Sequence, residues 1–287
     1  MLLLQHSIQY NFINYDNNQK LAIKNWIVDL GTSVQPSDPH YLKEKIAILW
    51  VAVAKRIWGL ELDRAAAATN SSSKSPVANK SSLFNGSNNN NNKHSEELDD
   101  DDSNSGNFDS DGWINMDELL VRMWESNPTT RELSLGVWRT LFEDLYILDD
   151  PVADKRASSL SAQCIEVVTA EPILNVMYEV PLKSLRKLRF GTEGWLNRWS
   201  SVLQECIERG FSDPEVAKFS LKLLQTLRTC LYWIFPLAIR EANLLQRLSI
   251  ALSCDNVDIK ILAADCLHVL FTRTFSNDAD FQAIIGA

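Results

Sequence analysis

Apolar residues recur at intervals of three and four along most of this chain, and no comparable stretch alternates with a period of two. Leu42, Ile46, Leu49, Val53 and Ile57 form one such series, widened by Trp50 and Ala54. Val216, Phe219, Leu223, Leu227 and Cys230 form a second, Ile259, Leu262, Cys266 and Leu270 a third, and Trp195, Trp199, Val202 and Cys206 a fourth. This is the period of helices with one broad buried face. It predicts an all-α fold, and 287 residues hold more helices than a simple four-helix bundle uses. Only 10 glycines and 9 prolines are present, too few for a many-turned β-sandwich.

The breaks between helices narrow the architecture. Asp213-Pro214 opens a helix predicted over Glu215 to Trp233 and carrying Lys218, and Asp255-Asn256 opens one over Val257 to Thr272 carrying Lys260. An N-cap followed by proline is a good helix start. The two units lie 42 residues apart, within the period of HEAT-type helix pairs. Asp38-Pro39 with Lys43 repeats the Asp213, Pro214, Lys218 spacing, and Asn127-Pro128 with Arg131 lies 86 residues before Asp213, close to two periods. Glu171-Pro172 falls near the intermediate step and reads equally well as a helix end. The expected fold is a right-handed α-solenoid of HEAT-type helix pairs. Its expected organisation is helices over 1–64, a disordered insertion rich in Asn, Ser and Asp over 65–112, and a continuing solenoid over 113–287.

The insertion rests on composition. From Ala65 to Gly112 the chain carries serine clusters, five consecutive asparagines and almost no periodic apolar residues, too little to offset its ordering entropy. Glu96 to Asp111 holds eight acids and no Lys or Arg, so the formal charge of −9 belongs to this one segment and the rest is nearly balanced. No global basic field points to nucleic acid. Five cysteines, widely spaced and without C-x-x-C, suggest neither a disulfide framework nor a zinc knuckle. The longest apolar runs are nine residues, short of a membrane span. The first residues lack the pattern of a secretory signal, and the expected compartment is cytosol or nucleus.

Two stretches resemble a known family. Leu42-Lys43-Glu44-Lys45-Ile46-Ala47 to Lys55-Arg56-Ile57-Trp58, resumed as Trp113-Ile114-Asn115-Met116-Asp117-Glu118-Leu119-Leu120, is similar to the N-terminal signature of the exportin and importin-β (karyopherin) superfamily. There a helix ending Lys-Arg-x-Trp-Pro is followed by a Trp-x-x-Met/Leu-Leu helix; here Gly59 stands in place of the proline and the insertion sits in the turn. Leu221 to Phe271, with Tyr232-Trp233, Asn243-Leu244-Leu245 and Ala263-Ala264-Asp265-Cys266-Leu267, is most similar to the exportin-5 branch.

This resemblance implies a nuclear transport receptor, shuttling between nucleus and cytoplasm. Such a receptor binds Ran-GTP together with cargo and releases both on GTP hydrolysis, with nuclear pore proteins as further partners. Cargo in this branch is structured RNA in some lineages and protein, often phosphorylated, in fungi. The resemblance also implies a much longer receptor, of which this chain begins after the first repeat and ends inside a later one. It implies no membrane insertion, no cofactor and no catalysis.

Candidate chemistry-bearing residues are few. Asn107 to Glu118 places oxygen donors at positions 1, 3, 5, 9 and 12 of an EF-hand-like loop, with Gly112 at 6 and Ile114 at 8. No entering helix precedes it and no second such loop is visible, so the favoured reading is an acidic tail running into the Trp113 helix. The four histidines match no catalytic motif, and no phosphate-binding glycine loop is present. Candidate partner contacts are the cluster Lys183, Arg186, Lys187 and Arg189, and the charges around the Leu42 helix, Lys43, Lys45, Lys55 and Arg56. Each set also reads as ordinary solvated surface. The nine tryptophans are expected in the core. A HEAT scaffold of a non-transport assembly and, further off, an EF-hand calcium module are the other readings.

Overall fold

The computed structural model describes residues 2–60, 112–113, 115–146, 156–177, 193–274 and 282. Among these, twelve α-helices and no strand are present. They are α1 (Leu2–Asn11), α2 (Asn17–Thr32), α3 (His40–Ile57), α4 (Met116–Ser126), α5 (Pro128–Tyr146) and α6 (Ala157–Val168). Then follow α7 (Glu171–Met177), α8 (Trp195–Arg209), α9 (Pro214–Cys230), α10 (Pro236–Glu241), α11 (Leu244–Leu252) and α12 (Val257–Thr272).

Eight of them form four pairs, α2 with α3, α4 with α5, α8 with α9, and α11 with α12. The second helices of the pairs stand side by side in one row, α3 against α5, α5 against α9, and α9 against α12. This is the α-solenoid arrangement, in which each repeat buries its apolar face against its neighbours.

The row has a common register. The side-chain oxygen of Asn127 accepts from the backbone N–H of Thr129 (3.0 Å) and Thr130 (2.9 Å). Asp213 caps α9 through Glu215 (2.9 Å), and Asn256 caps α12 through Ile259 (3.2 Å). Three residues after each cap a stripe begins and runs in steps of four, three and four. It reads Thr130, Ser134, Val137, Leu141 in α5, Val216, Ser220, Leu223, Leu227 in α9, and Ile259, Ala263, Cys266, Leu270 in α12, all buried. In α3 the equivalent series from Pro39 is Leu42, Ile46, Leu49, Val53, half-buried at its first member and buried at the rest. Small side chains at Ser134, Ser220 and Ala263 let the partner helix approach closely.

Five sequence expectations change here. The cap of α12 is Asn256 rather than Asp255, so α9 and α12 start 43 residues apart. The interval from Asn127 to Asp213 is one step of the row, because α5 packs directly on α9 and the intervening α6 and α7 are an excursion. Pro39, not Asp38, occupies the N-cap of α3, and the Asp38 carboxylate instead accepts from the Gln35 N–H at 2.8 Å. Glu171 begins a short helix, and α9 ends at Cys230, three residues before Trp233.

Seven tryptophans are buried and Trp233 is half-buried, but Trp26 of α2 lies 43% exposed. The buried ones join repeats: Trp58 meets Trp138 at 6.0 Å, Trp138 meets Trp195 at 5.3 Å, and Trp124 meets Trp195 at 5.7 Å between ring centroids. The two halves of the Trp58–Trp113 motif meet as expected. The Trp113 N–H donates to the Ile57 carbonyl at 3.2 Å, and Trp113 lies 5.0 Å from Trp50. The expected insertion, apart from Gly112, lies outside the described residues.

Candidate partner-binding surface

The early turns of α3, α5 and α9 border two open grooves. The larger, about 630 Å³, lies among the end of α2, the beginnings of α3, α5 and α9, and α8; Val34, Pro36, Val202, Val216 and Phe219 line it with apolar surface. The second, about 440 Å³, lies over α3 and α5 and reaches Lys222 and Thr226 of α9. Lys43 and Glu132 border both, so the grooves are neighbours along the row.

The charged groups between them are tied across helices. Glu132 of α5 pairs with Lys222 of α9. Arg139 of α5 donates to Gln225 of α9 at 2.9 Å and lies 3.9 Å from Glu44 of α3. Burial, and then the neighbouring Lys43 charge, push the Lys222 ammonium below its ordinary range, while Glu44 opposes them. Both grooves are lined by cations and carboxylates together, a surface suited to a protein partner of mixed charge rather than to a polyanion.

The candidate residues separate into three groups. Lys43 and Lys45 are half-buried groove residues; Lys43 Nζ reaches the Pro36 carbonyl at 3.5 Å, and Lys45 lines the smaller groove. Lys55 and Arg56 are buried, which corrects their reading as solvated surface. Lys55 Nζ donates to Asp144 of α5 at 2.6 Å, and Arg56 donates to the carbonyls of Ala52 (2.7 Å) and Gln9 (2.6 Å). Both are therefore held between α3 and its neighbours, where a partner has little access. Lys183, Arg186, Lys187 and Arg189 lie outside the described residues.

Glu132, Arg139 and Lys222 were absent from the sequence-based candidates. The available signal was their position: each stands off the buried stripe of a second helix, one or two residues from a stripe member. What a sequence does not show is that these flanks converge on one groove.

Half of the EF-hand-like loop, residues 107–111 and 114, lies outside the described residues. Within its described part, Trp113, Met116 and Asp117 are buried and Glu118 pairs with Arg122 one turn on. Among the described residues no group of three His, Cys, Asp or Glu side chains is placed to hold a metal ion. No described helix is long and apolar enough to cross a membrane.

Stacked helix pairs with an open, mixed-charge flank define a helical-repeat protein that presents an extended surface. The chain is 29% identical over 283 residues to Protein MSN5 of Saccharomyces cerevisiae, covering 99% of this chain and 20% of that protein. It is also 29% identical over 178 residues to an uncharacterized protein of Schizosaccharomyces pombe, covering 60% of this chain and 14% of that protein. The chain thus spans a fifth or less of the length of these relatives. This similarity supports the exportin and karyopherin family that the Leu42–Trp58 and Trp113–Leu120 motifs resemble. No family model matches the chain, and no solved structure matches it.

Proposed function

We propose that these residues form part of a nuclear transport receptor of the exportin-5-like kind, which binds Ran-GTP and cargo and shuttles between nucleus and cytoplasm, mainly for export. The observation that carries this reading is the row of second helices with its two grooves, joined to the exportin-like motifs that build α3 and α4. An open groove of mixed charge suits a folded protein partner and encloses no small substrate, so the receptor acts by binding and not by catalysis.

Lys43 and Lys45 on the groove, together with Lys183, Arg186, Lys187 and Arg189, are the proposed partner contacts. The cargo is protein, in fungi often phosphorylated, or structured RNA, and nuclear pore proteins are the remaining partners. If GTPase and cargo favour the same arrangement of repeats, each raises the affinity of the other by the same factor.

The test is a pull-down of the complete natural polypeptide with GTP-locked and with GDP-bound Ran. Selective capture of the GTP form, strengthened by cargo, is the expected result. Equal or absent capture of both forms would sink the transport reading and leave the HEAT scaffold.

A further inference from the structure

One wall of the larger groove, built by the end of α2 and the start of α3, is fastened firmly at one end of α3 and lightly at the other. At the late end, the Lys55 ammonium, 8% exposed, donates to Asp144 of α5 at 2.6 Å, and Trp58 stands edge-on to Trp138 at 6.0 Å between centroids. An ion pair with so buried a member is screened little by salt. At the early end Glu44 of α3 meets Arg139 of α5 at 3.9 Å, and Glu44 is 47% exposed. A pair of that length and exposure holds weakly. Both members are shared besides: Glu44 with His40 at 3.5 Å, and Arg139 with Glu143 at 3.9 Å and Gln225 at 2.9 Å. The floor and the opposite wall are tied more closely, since Glu132 of α5 pairs with Lys222 of α9 and the two are 19% and 20% exposed.

At mid-length α3 and α5 meet at small residues. A Cβ placed on Gly136 would stand 3.6 Å from the Ala47 Cβ, so a slight rotation there meets no wedged side chain of α5. Near the end of α2, Gly31 rests on Trp50 and on the Met123 methyl of α4, the latter an adaptable contact. Charge then acts on the lightly held end. Lys43 of α3 and Lys222 of α9 border the same groove. The Lys43 charge pushes the Lys222 ammonium below its ordinary range and Glu44 opposes it. Two adjacent residues of α3 therefore act on one cation of α9 with opposite sign, Lys43 driving the start of α3 away and Glu44 drawing it in. From Lys55 to His40 the helix runs about 22 Å at 1.5 Å per residue, so a turn of about 5° at the late end moves the start by about 2 Å.

We propose that the α2–α3 pair is a hinged wall of the larger groove, turning about the Lys55–Asp144 and Trp58–Trp138 fastening, with the opposed charges of Lys43 and Glu44 setting how far its early end stands from α8 and α9. The hinge belongs to the chain itself, whatever the groove binds.

The experiment uses the whole 287-residue chain in a Cys254→Ser background, the other four cysteines being buried. Spin labels on Asp29→Cys, near the end of α2, and Glu208→Cys, near the end of α8, both exposed positions, report the width of the groove by pulsed double-resonance distance measurement. A second pair, Asn18→Cys at the start of α2 with Glu208→Cys, reports on the hinge end. Glu44→Gln should lengthen the first distance by about 2 Å, the scale of a helix shift at an interface, and leave the second in place. Adding Lys43→Gln should bring the first distance back. Glu44 is exposed and Lys43 half-buried, so both variants should keep the melting curve of the parent. An Asp29–Glu208 distance that Glu44→Gln leaves unchanged overturns the proposal. So does a lengthening that Lys43→Gln does not reverse, and so does one in which both distances grow together, because the pair would then shift as a body and not turn about its late end.

Discussion

The Cys266 thiol of α12 donates to the carbonyl oxygen of Leu224 in α9 at 3.4 Å, across 42 residues of chain. Two other contacts span the same interval: the Ser200 hydroxyl donates to the Ala242 carbonyl at 2.7 Å, and Arg273 donates to the Leu231 carbonyl at 2.8 Å. Each ties one helix pair to the next through a backbone oxygen; those of Ala242 and Leu231 stand just past helix ends, where carbonyls lack intrahelical partners, while that of Leu224 lies inside α9. Arg273 also reaches the Ile234 carbonyl at 2.6 Å, so one guanidinium closes the end of α9. The repeat is therefore held by directional bonds as well as by its apolar stripe.

Burial pushes the Cys266 thiol up to about 12, and the Cys206 and Cys230 thiols upward as well, in each case chiefly through the cost of desolvating a thiolate. A thiolate-seeking reagent at pH 8 should label one cysteine of the five quickly, the half-buried Cys254, and all five after denaturation. Because the folded value lies above the unfolded one, this contribution to stability is whole below about pH 9. It is lost as pH rises towards 12. Chemical denaturation across that range should show the decline, and Cys266→Ala should flatten it. Rapid native labelling of Cys266 would contradict its position at the α9–α12 contact.

The stripe of α12 predicts an order of mutational cost. Leu270→Ala, which empties a fully buried site, should cost about 2 to 5 kcal/mol. Leu267→Ala should cost clearly less, because Leu267 is half-buried. Lys260→Ala should stay within about 0.5 kcal/mol, as surface changes do. Urea unfolding of the three variants measures the order, and equal losses would show the helical phase to be misassigned.

Gly194 and Gly210 separate backbone strain from crowding. Both have positive φ, +79° and +84°, with nearly the same ψ, 148° and 140°. A Cβ on Gly194 would lie 2.6 Å from the Ala170 nitrogen and 2.8 Å from the Val168 oxygen, whereas one on Gly210 meets nothing within 4 Å. Gly210→Ala should cost only the conformational penalty, about 1 to 3 kcal/mol. Gly194→Ala should cost that and more, since backbone atoms cannot turn aside. Thermal melting of the pair checks the difference.

Deletion of residues 65–111, with a short Gly/Ser join, should leave the melting temperature nearly unchanged. The contacts that close the junction, Trp113 N–H to Ile57 and Trp113 on Trp50, lie outside the deleted segment. Loop-closure cost also varies slowly with length. A loss of several kcal/mol would mean that the segment packs against the repeats.

Much of the local structure was legible in the order of residues. The stripe from Ile259 to Leu270 and the start of α9 at Pro214 follow from side-chain chemistry acting within one helical turn or its cap, so neighbouring letters suffice to decide them. The groove residues Lys43 and Lys45 were visible in the same way, as charges beside the α3 stripe. What tertiary structure decided is which helices are neighbours. Counting residues made the 86-residue interval from Asn127 to Asp213 look like two repeats, yet α5 and α9 pack directly, because side chains choose partners by fit and a long excursion costs little chain entropy. The same holds for charge. Lys55 and Arg56 read as surface until Asp144 of α5 and the Gln9 carbonyl of α1 come to meet them. Burial of a cation is set by partners from distant parts of the chain, and no local pattern in the sequence encodes their arrival.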